Sequence, residues 1–170
     1  MFKKIFILTL IFLAGCVKIP DRLTPVTGFE LDRYIGTWYE IARLDHSFER
    51  GLEKVQAVYS YRDDGGVKVV NRGFDPVKKE WKEAVGKAYF VESTDTGRLK
   101  VSFFGPFYGA YNIIELDKIN YSYAVVCGPT KSYLWVLGRE PFLEKSILDG
   151  VVGRLRNYGF KVDELIYVNH

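Results

Sequence analysis

Few side chains in this sequence have the chemistry to react or to hold a metal. There are two cysteines, Cys16 and Cys127, and two histidines, His46 and His170. Asp63 and Asp64 form the one adjacent aspartate pair. Around them there is no His-Glu-x-x-His, no Gly-x-Ser-x-Gly and no cluster at metal-ligand spacing. The aspartate pair lies in "DDGG", where turn chemistry accounts for it. Cys127 lies in the apolar run "YAVVCGP" and reads as a small buried hydrophobe. The residues therefore point to a protein without catalysis, cofactor or metal. An enzyme remains the alternative from another functional class. Cys16 is the unusual position, because it closes the apolar stretch "FILTLIFLAGC".

Lys3 and Lys4 precede that stretch, and no charge occurs from Ile5 to Ala14. A basic start, a short apolar segment and small residues make a secretory signal. A membrane span needs roughly 20 apolar residues, and Lys18, Asp21 and Arg22 follow too soon. Leu13-Ala14-Gly15-Cys16 resembles a bacterial lipobox. That resemblance implies a diacylglycerol on the Cys16 thiol, cleavage before Cys16 and acylation of the new amine. Two or three acyl chains make a stable anchor. Val17, rather than aspartate, resembles the pattern sorted to the outer membrane. With Cys16 so used, Cys127 has no disulfide partner, and the fold must stand on its core.

A mature chain of residues 16–170 is one domain and buries about 70% of its unfolded surface. The full chain carries +3, and removing Lys3 and Lys4 leaves +1. So near-neutral a domain gives no case for nucleic-acid binding. Residues 16–33, with Pro20 and Pro25, read as an extended tether. Period-two runs follow: "YIGTWYEIARL", "VQAVYSYR", "VKVVNRGF", "WKEAVGKAYFVE", "RLKVSFF", "GAYNIIELD", "YSYAVVCG" and "SYLWVLGR". "DDGG" between the second and third is a hairpin signal. Eight antiparallel strands joined by short connections predict an all-β closed up-and-down barrel, with room for about one small ligand. The period then changes. Leu143, Ile147, Val151 and Leu155 recur every fourth residue, between Pro141 and Gly159. That stripe predicts one C-terminal helix packed outside the barrel. "LIYV" at 165–168 reads as a short last strand.

Gly36-Thr37-Trp38 at the first strand and Arg139 at the end of the eighth resemble a lipocalin. "GTWYEIARLDHSFERGLEKV", "GKAYF", "KVSFFGPFYGAYN" and "VCGP" resemble the bacterial outer-membrane lipoprotein lipocalins, relatives of apolipoprotein D. The resemblance divides the chain into a signal peptide (1–15), a lipidated tether (16–33) and the lipocalin domain (34–170). It implies that Trp38 plugs the closed end of the calyx and that Arg139 stacks across it. The Thr-Asp-Tyr usual before strand seven is replaced by "KINYSYAV", so the polar network at the closed end must differ.

With Trp38 and Arg139 inward, alternation assigns the other faces. Glu40 and Ala42 follow Trp38 inward, and Ala84 and Gly86 point in from strand four. The expected ligand-binding residues are Ala57, Tyr59, Val69, Asn71, Ala88, Phe90, Val101, Phe103, Tyr111, Ile113, Val126, Tyr133 and Trp135. Small residues beside large rings imply a mostly apolar cavity suited to an acyl chain. A solid, filled barrel is the competing arrangement. Phe48, Phe104, Phe107 and Tyr108 fall on mouth loops, where they could gate entry, touch lipid or meet a second subunit in a homodimer. By resemblance, the ligand class is fatty acids or lysophospholipids, and the role is lipid storage or transport in envelope maintenance. The anchor would be the outer membrane, with the barrel facing the periplasm.

Overall fold

The computed structural model describes residues 17–170. Cys16 and the signal segment lie outside the described residues. Eight antiparallel strands run in chain order: β1 (Gly36–Arg43), β2 (Glu53–Tyr61), β3 (Val67–Asp75), β4 (Glu80–Phe90), β5 (Arg98–Phe104), β6 (Phe107–Leu116), β7 (Tyr123–Cys127) and β8 (Leu134–Gly138). Each pairs with the next, and β1 pairs with both β2 and β8, so the sheet closes. Closure removes the exposed edges that an open sheet would present. The predicted barrel is thus the observed one. At the β2–β3 turn the Asp64 carboxylate accepts bonds from the Gly66 amide (3.0 Å), the Arg62 guanidinium and the Tyr89 hydroxyl. Asp64 therefore serves the turn.

A short helix, α1 (Leu31–Tyr34), precedes β1, and α2 (Lys145–Asn157) follows β8. Val151 and Leu155 of α2 are fully buried against Val125, Leu134 and Val136 from the outer face of the barrel. Cys127 belongs to this outer cluster. Burial pushes its thiol up to about 12, so it stays protonated. The chain then returns through β9 (Ile166–Tyr167). This pair adds to β1 opposite Ala42 and Arg43, beyond the residues of β1 that pair with β2.

The segment read as a tether is tied to the barrel body. The Val26 amide donates to the Ile113 carbonyl at 2.9 Å, and the Gly97 amide donates to the Val26 carbonyl at 2.8 Å. Phe29 is buried in the inner cluster with Trp38 and Tyr59. Its apolar ring gains more inside the barrel than in solvent.

One strand departs from simple alternation. Glu40 pairs with Leu137 but Ala42 pairs with Val136, so Ile41 is the extra residue of a β-bulge. The bulge reverses the faces beyond it. Ala42, expected inward, packs in the outer cluster, and Arg43 takes the inner side opposite Trp135.

Candidate ligand-binding site

The floor of the barrel is built first. Trp38 is fully buried, and its indole nitrogen donates to the Tyr34 carbonyl at 2.8 Å. The Arg139 guanidinium carbon lies 4.0 Å from the Trp38 ring centroid. Its two terminal nitrogens donate to the carbonyls of Thr37 (3.0 Å) and Arg33 (2.5 Å). Indole and cation therefore brace the start of β1 and α1 at once. Gly36, with φ of +106°, lets the chain turn into β1 here. The absent Thr-Asp-Tyr has a local replacement. Asp117 accepts from the Ile119, Asn120 and Ser122 amides, while the Tyr121 hydroxyl accepts from the Glu30 amide at 3.0 Å. Arg33 lies 4.1 Å over the Tyr121 ring.

Above the floor, the structure gathers Ala57, Tyr59, Val69, Ala88, Phe90, Val101, Phe103, Tyr111, Ile113, Val126 and Trp135 into one inner cluster. Asn71 stands beside Ala57 in register and is half-buried. Tyr133 is at the rim, its ring 6.3 Å from that of Trp135. A free space of about 10 Å³ lies between Phe29, Leu31, Tyr34, Tyr59, Val67, Val69, Ala88, Leu99 and Tyr111. Its surface is apolar, and the rings of Tyr34, Tyr59 and Tyr111 form part of the lining. The small residues act less simply than their size implies. A Cβ on Gly86 would meet the Phe103 ring at 2.8 Å, so that glycine seats a ring rather than enlarging the lumen. Ala84 is exposed.

Alternation alone missed the polar half of the interior. Past the Ile41 bulge, the Arg43 guanidinium donates to the Glu40 carboxylate at 2.7 Å and to the Glu49 carbonyl at 3.0 Å. The Trp135 indole nitrogen donates to the Glu49 carboxylate at 3.1 Å. His46 packs over Trp135 with ring centroids 5.0 Å apart and stacks on Phe48 at 4.1 Å. Neither His46 ring nitrogen makes a hydrogen bond, although Nε2 lies 3.2 Å from a Glu49 oxygen. Glu40, Arg43, His46 and Glu49 are all buried. Burial and the neighbouring Glu49 push the Glu40 carboxyl well up, against the pull of Arg43. Burial holds the His46 ring below its ordinary value. The one sequence signal was "EIAR", a stretch at the bulge that breaks the polar-apolar alternation. His170 is far from this chemistry in role: its ring meets the Glu40 carbonyl at 2.9 Å and secures the C-terminal return.

Among the described residues no group of three or more His, Cys, Asp or Glu side chains is arranged to hold a metal. The geometry that remains is a closed barrel with an aromatic floor, an apolar chamber and an upper wall that buries Glu40, Arg43, His46 and Glu49.

Comparison with known proteins agrees with that architecture. A family model described as a lipocalin-like domain matches residues 29–170. The outer membrane lipoprotein Blc of Vibrio cholerae is 56% identical over 162 residues, covering 95% of each chain. The protein of the same name from Escherichia coli is 50% identical over 149 residues, covering 88% of this chain and 84% of its own. Insecticyanin from the tobacco hornworm superposes with a TM-score of 0.71 over 90% of this chain and 87% of its own, at 18% identity. On the family match and these identities, the chain belongs to the lipocalin family.

Proposed function

We propose that this protein is a membrane-anchored lipid carrier that holds one fatty acid or lysophospholipid in its barrel. The observation carrying the reading is the apolar chamber inside a closed barrel, walled by residues such as Phe29, Tyr34, Tyr59, Val69 and Tyr111. An acyl chain gains there about 25 cal/mol for each Å² withdrawn from water, while its head group stays among the mouth loops. The relatives named outer membrane lipoproteins support an anchor in the outer membrane. In this reading residues 1–15 are removed, Cys16 carries the acyl chains, residues 16–33 join anchor to barrel, and the barrel faces the periplasm. Binding and release, not catalysis, are its work. Envelope maintenance is the setting in which a tethered carrier of this kind is useful. The exposed Phe48, Phe104 and Phe107 rings then lie at the mouth, where a membrane or a second copy of the chain meets them. A second reading, the filled structural barrel, draws on the small free space left in the chamber, about 10 Å³, against roughly 300–1,000 Å³ for ligand pockets.

Purification without detergent, followed by lipid extraction and mass spectrometry, separates the two. Co-purified acyl lipid is expected. Titration with lysophospholipid should change the tryptophan emission saturably, and Trp135→Phe should remove most of that signal while retaining much of the binding. A protein that is empty as isolated and silent in titration sinks the carrier reading. In cells, labelled palmitate should enter the parent but not Cys16→Ser. Equal labelling of both would remove the anchor assignment.

A further inference from the structure

Three phenols whose residues line the chamber have a hydrogen-bond count that does not close. The Tyr111 hydroxyl on β6 lies 2.7 Å from the Tyr34 hydroxyl and 2.7 Å from the Tyr59 hydroxyl on β2. Each phenol has one proton to donate and can accept in addition. Three hydroxyls joined by two bonds use two protons. Whichever way the bonds run, one O–H remains, and among the described residues the three hydroxyls make no hydrogen bond besides these two. Burial raises all three phenols above their ordinary value, Tyr34 and Tyr111 the most. They therefore keep all three protons throughout the physiological range. A phenylalanine at each position would pack the same rings without leaving a donor in an apolar chamber, and an unmade buried bond is costly.

We propose that the Tyr34–Tyr111–Tyr59 cluster is a subsite for an oxygen atom carried on the hydrocarbon chain of the ligand, a hydroxyl or ketone remote from the head group. This deepens the carrier reading and rests on it. A chain entering tail-first brings its remote carbons to the three hydroxyls. An oxygen there accepts the spare proton, and a ligand hydroxyl also donates to a phenol oxygen. A plain chain leaves the donor as it was. The cluster would then sort chains by oxidation, with the apolar walls binding both kinds.

The test uses the folded, lipid-stripped protein and competition between matched acids. Hexadecanoate is compared with 16-hydroxyhexadecanoate, and octadecanoate with 12-hydroxyoctadecanoate and its 12-oxo counterpart. At least one oxygenated acid should bind roughly fivefold tighter than its plain match, the value of about one net hydrogen bond. Binding should also perturb the tyrosine ultraviolet absorption, which the plain acid leaves unchanged. The triple variant Tyr34→Phe, Tyr59→Phe, Tyr111→Phe should lose the preference, binding each oxygenated acid no tighter than its plain match. Equal or weaker binding of every oxygenated acid by the parent overturns the subsite, and so does a preference that survives the triple variant. The comparison in the parent decides the matter even where the variant does not fold. Absence of binding by every acid, plain chains included, removes the carrier reading and the subsite with it.

Discussion

Trp38→Ala is expected to destabilise the fold by about 3–5 kcal/mol, the usual cost of removing a buried tryptophan. In a domain of this size that lowers the melting midpoint by roughly 10 °C or more. Three losses coincide. The cavity left at the floor has no side chain to fill it, because Tyr34 is already held against the ring at 4.7 Å. The Tyr34 carbonyl loses the indole donor at 2.8 Å. Arg139 loses the ring beneath its guanidinium, a contact worth roughly 0.5–2 kcal/mol depending on its desolvation. Arg139→Lys should cost less, since it keeps the charge but gives up the fork that reaches the Thr37 and Arg33 carbonyls. Urea and thermal unfolding of the two variants measure the order. A Trp38→Ala protein that unfolds with the parent would show that the floor is not a structural plug.

The second large effect is expected at Arg43. Arg43→Met removes the cation from a buried group holding two carboxyls. Breaking such a pair by deleting one partner costs about 3–5 kcal/mol. The Glu49 carbonyl, bonded at 3.0 Å, also loses its donor, which loosens the loop that carries His46 and Glu49 over Trp135. The deficit should depend on pH in a definite sense. Glu40 titrates higher in the folded state than in the unfolded chain, because burial and Glu49 disfavour its charge. Its contribution to stability is thus fully present below the unfolded value and is lost as pH rises through the folded one. Without Arg43 that loss is larger, so the variant should fall furthest behind the parent at alkaline pH. Glu40→Gln keeps a donor and an acceptor in place without the charge. It should flatten the pH dependence in the parent and recover much of the stability in the double variant. Urea midpoints at pH 5 and pH 8 provide the check. A deficit in Arg43→Met that is the same at both values would mean that packing, not charge balance, explains the arginine.

The two sites differ in how far they can be read from the chain. Trp38 and Arg139 stand at the ends of strands whose period is plain, and period two fixes the face of a residue wherever a strand runs regularly. The stripe Leu143, Ile147, Val151 and Leu155 likewise specifies a helix and the side that it buries, and Val151 and Leu155 are the residues of α2 with no exposed surface. Short turns between the runs leave little choice but a meander, and a meander of eight strands closes. Local periodicity and turn chemistry therefore determined the architecture, the outer helix and the chamber walls. The upper wall was decided otherwise. One extra residue at Ile41 exchanges the faces of everything after it in β1, and the broken alternation of "EIAR" is the one local mark of where that bulge forms. Arg43 consequently entered the barrel and drew Glu49 to it from the loop. The tyrosine cluster likewise joins residues 77 and 52 positions apart in sequence, and the Phe29 ring reached the floor from a segment with no strand or helix period. Such contacts exist only once the barrel has closed, because closure is what brings opposite walls and the incoming chain within hydrogen-bonding distance.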